Sequence, residues 1–200
     1  MIRLNLYKPN TKPNSRNNIC FTGAERLLPN KQYPKKLIKL IALDIDGTIS
    51  DRATNLVNQD VKTAIKMVIN KGIKVILNTG RDYDEASIIA RELDLNIPII
   101  CNYGKYIKQA GELVYKNPSN RVDLKGDSLE YIANIWGINK ENIMSIGNDV
   151  EDISMFKKSG TAVLIEGSNY IDDIKPFANY IADNSDKSAV ALAIKKLVSL

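Results

Sequence analysis

The sequence predicts an α/β fold: an open, mostly parallel sheet with helices on both faces, plus a small β-hairpin. Three observations point there. From Leu37 onward, short apolar runs alternate with stretches whose apolar residues recur at helical spacing. The runs carry few polar residues, as strands buried on both faces do. Acids, hydroxyls and glycines gather just after those runs, where an open α/β sheet binds its ligands.

Each element has its own reason. Residues 37–43, an Ile/Leu/Ala run broken only by Lys39, read as a central strand. Asn58 or Asp60 can cap a helix carrying Val61, Ile65, Val68 and Ile69, which Gly72 stops. Residues 73–77 form a second buried strand, and 82–93 a helix with Ala86, Ile89, Ala90 and Leu93 on one side. Residues 97–100 make a third strand, with Pro98 near its start. Short strands on either side of Ala110-Gly111 give the hairpin. A helix over 128–136 ends near Gly137, and a polar turn over 139–142 precedes a strand at 143–146. A short helix at 149–158 is closed by Gly160, followed by a strand at 162–165 and a last helix at 189–197. No internal repeat appears. The order is Rossmann-like.

The totals bound the function. Two hundred residues suit one domain. No apolar run approaches the ~20 residues of a membrane span, and the first residues lack the apolar stretch of a secretory signal. Cys20 and Cys101 offer neither a disulfide framework nor metal-ligand spacing, so a reducing cytoplasm is expected. Histidine is absent, which excludes histidine bases and His-ligated zinc and leaves acid–base work to carboxylates. The net charge of +5 is unevenly spread. Residues 1–40 hold nine Lys or Arg against Glu25 alone, whereas the rest holds 19 bases and 22 acids. Residues 1–36 are therefore expected to form a basic, poorly ordered extension, and 37–200 the folded core. A nucleic-acid partner for the basic segment is disfavoured against plain solvation.

The informative residues follow four elements. Asp44, Asp46, Gly47 and Thr48 come after the first strand, and Thr79, Gly80 and Arg81 after the second. Gly147, Asn148, Asp149, Glu151 and Asp152 follow the strand at 143–146, and Lys125 opens the helix before it. Residues two apart on extended chain point the same way, so Asp44 and Asp46 can face one pocket. Phosphoryl transfer through an aspartyl-phosphate needs such a set. One carboxylate attacks phosphorus, a second handles protons, a hard cation neutralises charge, and lysine and a hydroxyl brace the phosphoryl oxygens. Two acids so close would repel without a cation, and magnesium resolves that conflict.

These stretches resemble the haloacid dehalogenase-like hydrolases. DIDGT at Asp44–Thr48 is similar to the family's first motif, NTGR at Asn78–Arg81 to its second, Lys125 to its third and GNDVED at Gly147–Asp152 to its fourth. IPIICNYGKYIKQAGELVYKN, KGDSLEYIANIWGI and the tail IDDIKPFANYIADNSDKSAVALAIKKL resemble its Cof-type branch, the tail being similar to that branch's closing strand and helix. The resemblance implies Asp44 as nucleophile and metal ligand, and Asp46 as general acid/base with its backbone carbonyl on Mg2+. It implies Thr79, Gly80 and Lys125 around the phosphoryl group, Asn102 near the substrate, and Asn148, Asp149 and Asp152 at the metal. The implied substrate is a small phosphorylated metabolite, sugar phosphates included.

Two departures matter. Asn148 stands where that family has an aspartate, and Glu151 where it has an asparagine, so weakened metal binding is expected rather than lost catalysis. Only 43 residues separate Arg81 from Lys125, too few for the large cap such enzymes carry, so the core is expected to be capless. A second subunit could then cover the open site. The competing readings are a regulatory protein that has lost its metal, a nucleic-acid end phosphatase using the basic segment, and a receiver domain. The last is disfavoured because a receiver's acidic pair is adjacent.

Overall fold

The computed structural model describes residues 24–28, 30–51, 54–183 and 188–199. Residues 1–23, with Cys20 and most of the extension expected to be poorly ordered, lie outside the described residues.

The central sheet has six parallel strands in the order β1-β9-β8-β7-β2-β3. These are β1 (Glu25–Arg26), β2 (Leu40–Leu43), β3 (Lys74–Leu77), β7 (Ile143–Gly147), β8 (Thr161–Ile165) and β9 (Tyr180–Ala182). β2 lies inside the sheet, its Leu43 registered between Leu77 and Ile146. Alternation along the strands sorts the core into two layers. Ile41, Leu43, Val75 and Ile146 meet α1 (Gln59–Asn70), α2 (Tyr83–Glu92) and α6 (Ala189–Leu197). Leu40, Ala42, Ile76 and Leu164 meet α3 (Lys125–Ile135), α4 (Ile153–Lys157) and α5 (Ile171–Ile174) on the other face. Among the described residues no helix is long and apolar enough to cross a membrane.

The expected elements recur with shifts at their ends. Of the two candidate caps, Asn58 caps α1, its side chain accepting the Asp60 N–H at 2.7 Å. α3 begins at Lys125 rather than at 128, and the expected helix at 149–158 splits into a 3-10 turn, Val150–Asp152, followed by α4. Leu37 is exposed, so β2 is shorter than its apolar run.

Two differences are larger. The third expected strand, β4 (Ile99–Cys101), touches the main sheet only through the Asn78–Ile100 bridge. It pairs instead with β5 (Tyr106–Gln109), which pairs with β6 (Glu112–Lys116), so the hairpin becomes a separate three-stranded antiparallel sheet. The turn after β4 sends the chain straight back upon itself: Asn102, Tyr103 and Gly104 are successively left-handed, with φ of 50°, 55° and 88°. Second, part of the expected extension is built into the fold. Glu25–Arg26 adds to the sheet edge beside β9, Leu27 and Tyr33 are buried, and Arg26 pairs twice with Glu166 at 2.5 and 2.6 Å. The cue is local and weak, two strand residues followed by an isolated Leu and Tyr.

Gly126 tests how closely α3 approaches α4. Its amide donates to Ser154 Oγ at 2.9 Å, and a Cβ there would overlap the Ser154 backbone. Glycine-to-alanine changes inside helices normally stabilise, but here overpacking by about 1–3 kcal/mol should reverse the sign. Thermal denaturation of Gly126→Ala should show a lower Tm than the wild type.

Candidate active site

The sheet delivers Asp44 by continuing its own ladder one residue past β2, the Asp44 amide donating to the Ile146 carbonyl at 3.0 Å. The chain then turns sharply through Gly47, whose φ is +80° and whose missing side chain leaves room for the Asn148 amide. Ile45 points into the core, so Asp44 and Asp46 both lie on the other side. Lys125 comes from the start of α3, which is fastened at three places. The Asn78 side-chain amide donates to the Lys125 carbonyl at 3.1 Å, the Gly126 amide to Ser154, and Ser128 Oγ to the Gly104 carbonyl at 2.5 Å. Asp152 ends the turn after β7, its Oδ2 accepting the Asn148 and Asp149 amides at 2.8 and 3.1 Å.

These three elements close on one ion cluster. Lys125 Nζ donates to Asp44 Oδ1 at 2.8 Å and to Asp152 Oδ1 at 2.7 Å, with all three side chains at most 7 % exposed. One cation thus faces two anions out of water. Burial, then the Asp152 charge, push the Asp44 carboxyl from 3.8 up to about 7, against the pull of Lys125. Burial disfavours the Lys125 charge, but the charges of Asp152 and Asp44 outweigh it and raise its pKa.

Above the cluster opens a cavity of about 450 Å³, lined by Asp44, Asp46, Arg81, Lys125, Asn148 and Asp152 among others. Arg81 grips Asp46 with both arms, Nε to Oδ2 at 2.9 Å and Nη2 to Oδ1 at 2.6 Å, and also reaches Asn55. Thr48 Oγ1 lies 3.2 Å from Asp44 Oδ2 and 3.1 Å from Asn148 Oδ1, joining the first and fourth motif regions. Gly80, Asp149 and Glu151 also line the cavity, Asp149 while accepting the Val150 amide at 2.7 Å.

Two of the expected residues lie outside this cavity's wall. Thr79 is fully buried outside the cavity wall, its hydroxyl accepting the Arg81 amide at 3.1 Å, so it shapes the loop. Asn102 lines a neighbouring cavity instead. Sequence reasoning gave Arg81 and Thr48 no role of their own. Their signal was position, since each sits inside a motif beside a named residue.

A metal poses a further test. All five expected ligand residues line the one cavity, yet among the described residues no three His, Cys, Asp or Glu side chains gather as a metal cluster. Asn148 is neutral, Asp46 is turned to Arg81, and Asp152 is spent on Lys125 and two amides. Asp44 Oδ2 and Asn148 Oδ1 share one hydroxyl between them, and the Asp46 atom expected at the metal is its backbone carbonyl, not the side chain that Arg81 engages. Both are hard oxygen donors in a cluster with one negative charge in excess, a set that suits Mg2+ in kind.

The cluster makes two predictions. Lys125→Met leaves two buried carboxylates uncompensated and should cost about 3–5 kcal/mol in denaturant unfolding. Because the folded Asp44 carboxyl holds its proton more tightly than the unfolded one, metal-free wild type should lose stability as pH rises from about 4 to about 7. Asp44→Asn has no such proton to lose and leaves one cation with one anion. The Tm of the variant should therefore overtake that of the wild type increasingly across that window.

A family model described as haloacid dehalogenase-like hydrolase matches residues 41–125 and 119–194. Phosphoglycolate phosphatase 1 of Saccharolobus solfataricus is 25 % identical over 226 residues, covering 81 % of this chain and 96 % of its own. A 5-amino-6-(5-phospho-D-ribitylamino)uracil phosphatase of Bacillus subtilis is 24 % identical over 242 residues, covering 80 % and 96 %. In fold, the chain is similar to a haloacid dehalogenase-like hydrolase from Bacteroides thetaiotaomicron, with a TM-score of 0.69 at 18 % identity over 79 % of this chain and 98 % of that one. With the family model spanning nearly the whole sheet and its helices, this chain belongs to the haloacid dehalogenase-like hydrolase family.

Proposed function

We propose that the protein is a magnesium-dependent phosphomonoester hydrolase working through an aspartyl-phosphate on Asp44. The observation that carries this reading is Lys125, buried against Asp44 at the floor of a polar cavity that Asp46 and Arg81 rim. Lys125 aims the Asp44 carboxylate and supplies a positive charge beside it. Asp44 attacks phosphorus, the alcohol leaves with a proton from Asp46, and Asp46 then takes a proton from the water that cleaves the acyl phosphate. Asp46 starts the cycle ion-paired, and a carboxylate held by arginine is a poor proton donor. An arriving phosphoryl group is a second anion for Arg81, and competition for that guanidinium frees Asp46 to take up a proton and turn to the leaving oxygen. Asp44, the Asn148 amide oxygen and the Asp46 carbonyl would hold Mg2+, which when bound neutralises charge on the phosphoryl oxygens. With an amide in place of a carboxylate, the metal is held more weakly.

The substrate is a small phosphorylated metabolite, as the names of the two phosphatase relatives support. The core is capless. An alignment 226 residues long draws on only 81 % of this 200-residue chain, so the Saccharolobus enzyme has positions that this one lacks. α2 and the three-stranded sheet occupy most of the stretch between Arg81 and Lys125, and a second copy of the chain could cover the mouth. The neutral Asn148 also favours a second reading, a phosphate-binding protein without turnover.

Hydrolysis of p-nitrophenyl phosphate separates the two readings. Turnover should need Mg2+, stop with EDTA, and fall about 10³-fold or more in Asp44→Asn. Equal rates for wild type and Asp44→Asn would reject the nucleophile, and binding of beryllofluoride without turnover would favour the second reading.

A further inference from the structure

Beside the polar cavity lies another of about 500 Å³, and Tyr103 and Glu151 belong to the walls of both. Its character is different. Tyr103, Val122, Leu124 and Val150 give it apolar sides, with Val122 90 % exposed and Tyr103 43 % exposed. The cations at its rim each have a partner, Lys105 Nζ donating to the Ser119 carbonyl at 2.7 Å and Arg121 pairing with Asp127. Asp123 and Glu151 add negative charge. The space is large enough for a metabolite-sized group, with Asn102 and the charged side chains at its rim and Tyr103, Val122, Leu124 and Val150 forming its apolar sides.

Tyr103 itself is held at a cost. A bulky residue at φ +55°, between left-handed neighbours at +50° and +88°, is strained backbone that Asn or Gly would adopt more easily. Five backbone hydrogen bonds impose it. Among them the Tyr103 amide donates to the Thr79 carbonyl at 3.0 Å, and the Leu124 amide to the Tyr103 carbonyl at 3.1 Å. The ring then lies over Gly80, where an added Cβ would sit 2.5 Å from Tyr103 Cε1. The backbone hydrogen bonds hold the turn without using the aromatic ring. The ring stands on the boundary between the place where phosphorus reacts and the place where the leaving group must lie.

Resting on the phosphatase reading above, we infer that this apolar cavity is the leaving-group pocket, that Tyr103 is its specificity-determining residue, and that the preferred substrates are phosphomonoesters of alcohols bearing a planar aromatic or heteroaromatic ring. Hydroxyls set against Tyr103, Val122 and Val150 find no partner on those side-chain carbons, whereas a ring can pack on Tyr103.

The test uses the full chain with Mg2+. Phenyl phosphate should exceed glycerol 3-phosphate in kcat/KM, mainly through KM. Tyr103→Asn, which keeps a residue tolerant of positive φ, should lower that ratio by about five- to tenfold, and Tyr103→Phe should restore it. An unchanged ratio in Tyr103→Asn overturns the assignment. Calorimetry with phenylphosphonate and methylphosphonate, which cannot be hydrolysed, reads the pocket without turnover. A phenyl preference that Tyr103→Asn abolishes supports the pocket even if no substrate is hydrolysed, in which case only the phosphatase reading fails. Equal affinities for the two phosphonates, or no binding of either, overturn the pocket even if p-nitrophenyl phosphate is turned over.

Discussion

The structure turns on one ammonium group that has no access to water. Lys125 is 2 % exposed and can stay charged only because Asp44 and Asp152 both reach it. Each of the three arrives from a different part of the chain: the end of β2, the start of α3 and the turn after β7. An unpaired charge there would be expensive to desolvate, so these segments are held together electrostatically as well as by the apolar layers beneath them. The cluster that orders the carboxyl end of the sheet is also the candidate reaction centre.

The cluster needs the sheet's topology. β2 has β3 on one side and β7 on the other, so loops from both neighbours converge on Asp44. Asn78 hangs from the end of β3 and ties down the Lys125 carbonyl, while Asn148 and Asp149 at the end of β7 present backbone amides to Asp152. The small antiparallel sheet joins at the same point, because the Gly104 carbonyl accepts from Ser128 in the first turn of α3. Gly104 admits no side chain there, since one would overlap the Leu124 backbone. Three left-handed residues in a row therefore make structural sense: they let the turn after β4 press against the helix that carries the lysine.

Much of this could be read from the sequence, for a physical reason. Strand alternation, glycine stops and acids at strand ends are local signals, and they sufficed for the α/β class, for every strand of the central sheet but β1 and β9, and for bringing Asp44, Lys125, Asn148 and Asp152 to one cavity. What escaped depends on partners far along the chain. The second-motif resemblance gave Thr79 a place at the phosphoryl group, but its fastening of the loop, by accepting the Arg81 amide, follows from a fold that buries it. Arg81 could not be matched to Asp46 across 35 residues without knowing that their loops meet. β1 has two residues and no pattern of its own; only pairing with β9 makes it a strand. The departure from β4 was hidden because a Tyr at positive φ follows from tertiary hydrogen bonds rather than local preference.

The charge count gives the Asn148 position its meaning. Asp46 is balanced by Arg81, and Asp44 with Asp152 exceeds Lys125 by one charge. An aspartate at 148, with its side-chain oxygen on the same Thr48 hydroxyl that faces Asp44, would add a second uncompensated anion a few bonds from the first. The protein would then require its cation to remain comfortably folded at neutral pH. The amide removes that requirement while preserving an oxygen in the same place. Coulomb attraction for a divalent ion falls by the same step that relieves repulsion in its absence, so a core with asparagine here is less dependent on metal for stability and less able to retain it. Lys125 holds Asp44 in position whether or not a cation is present.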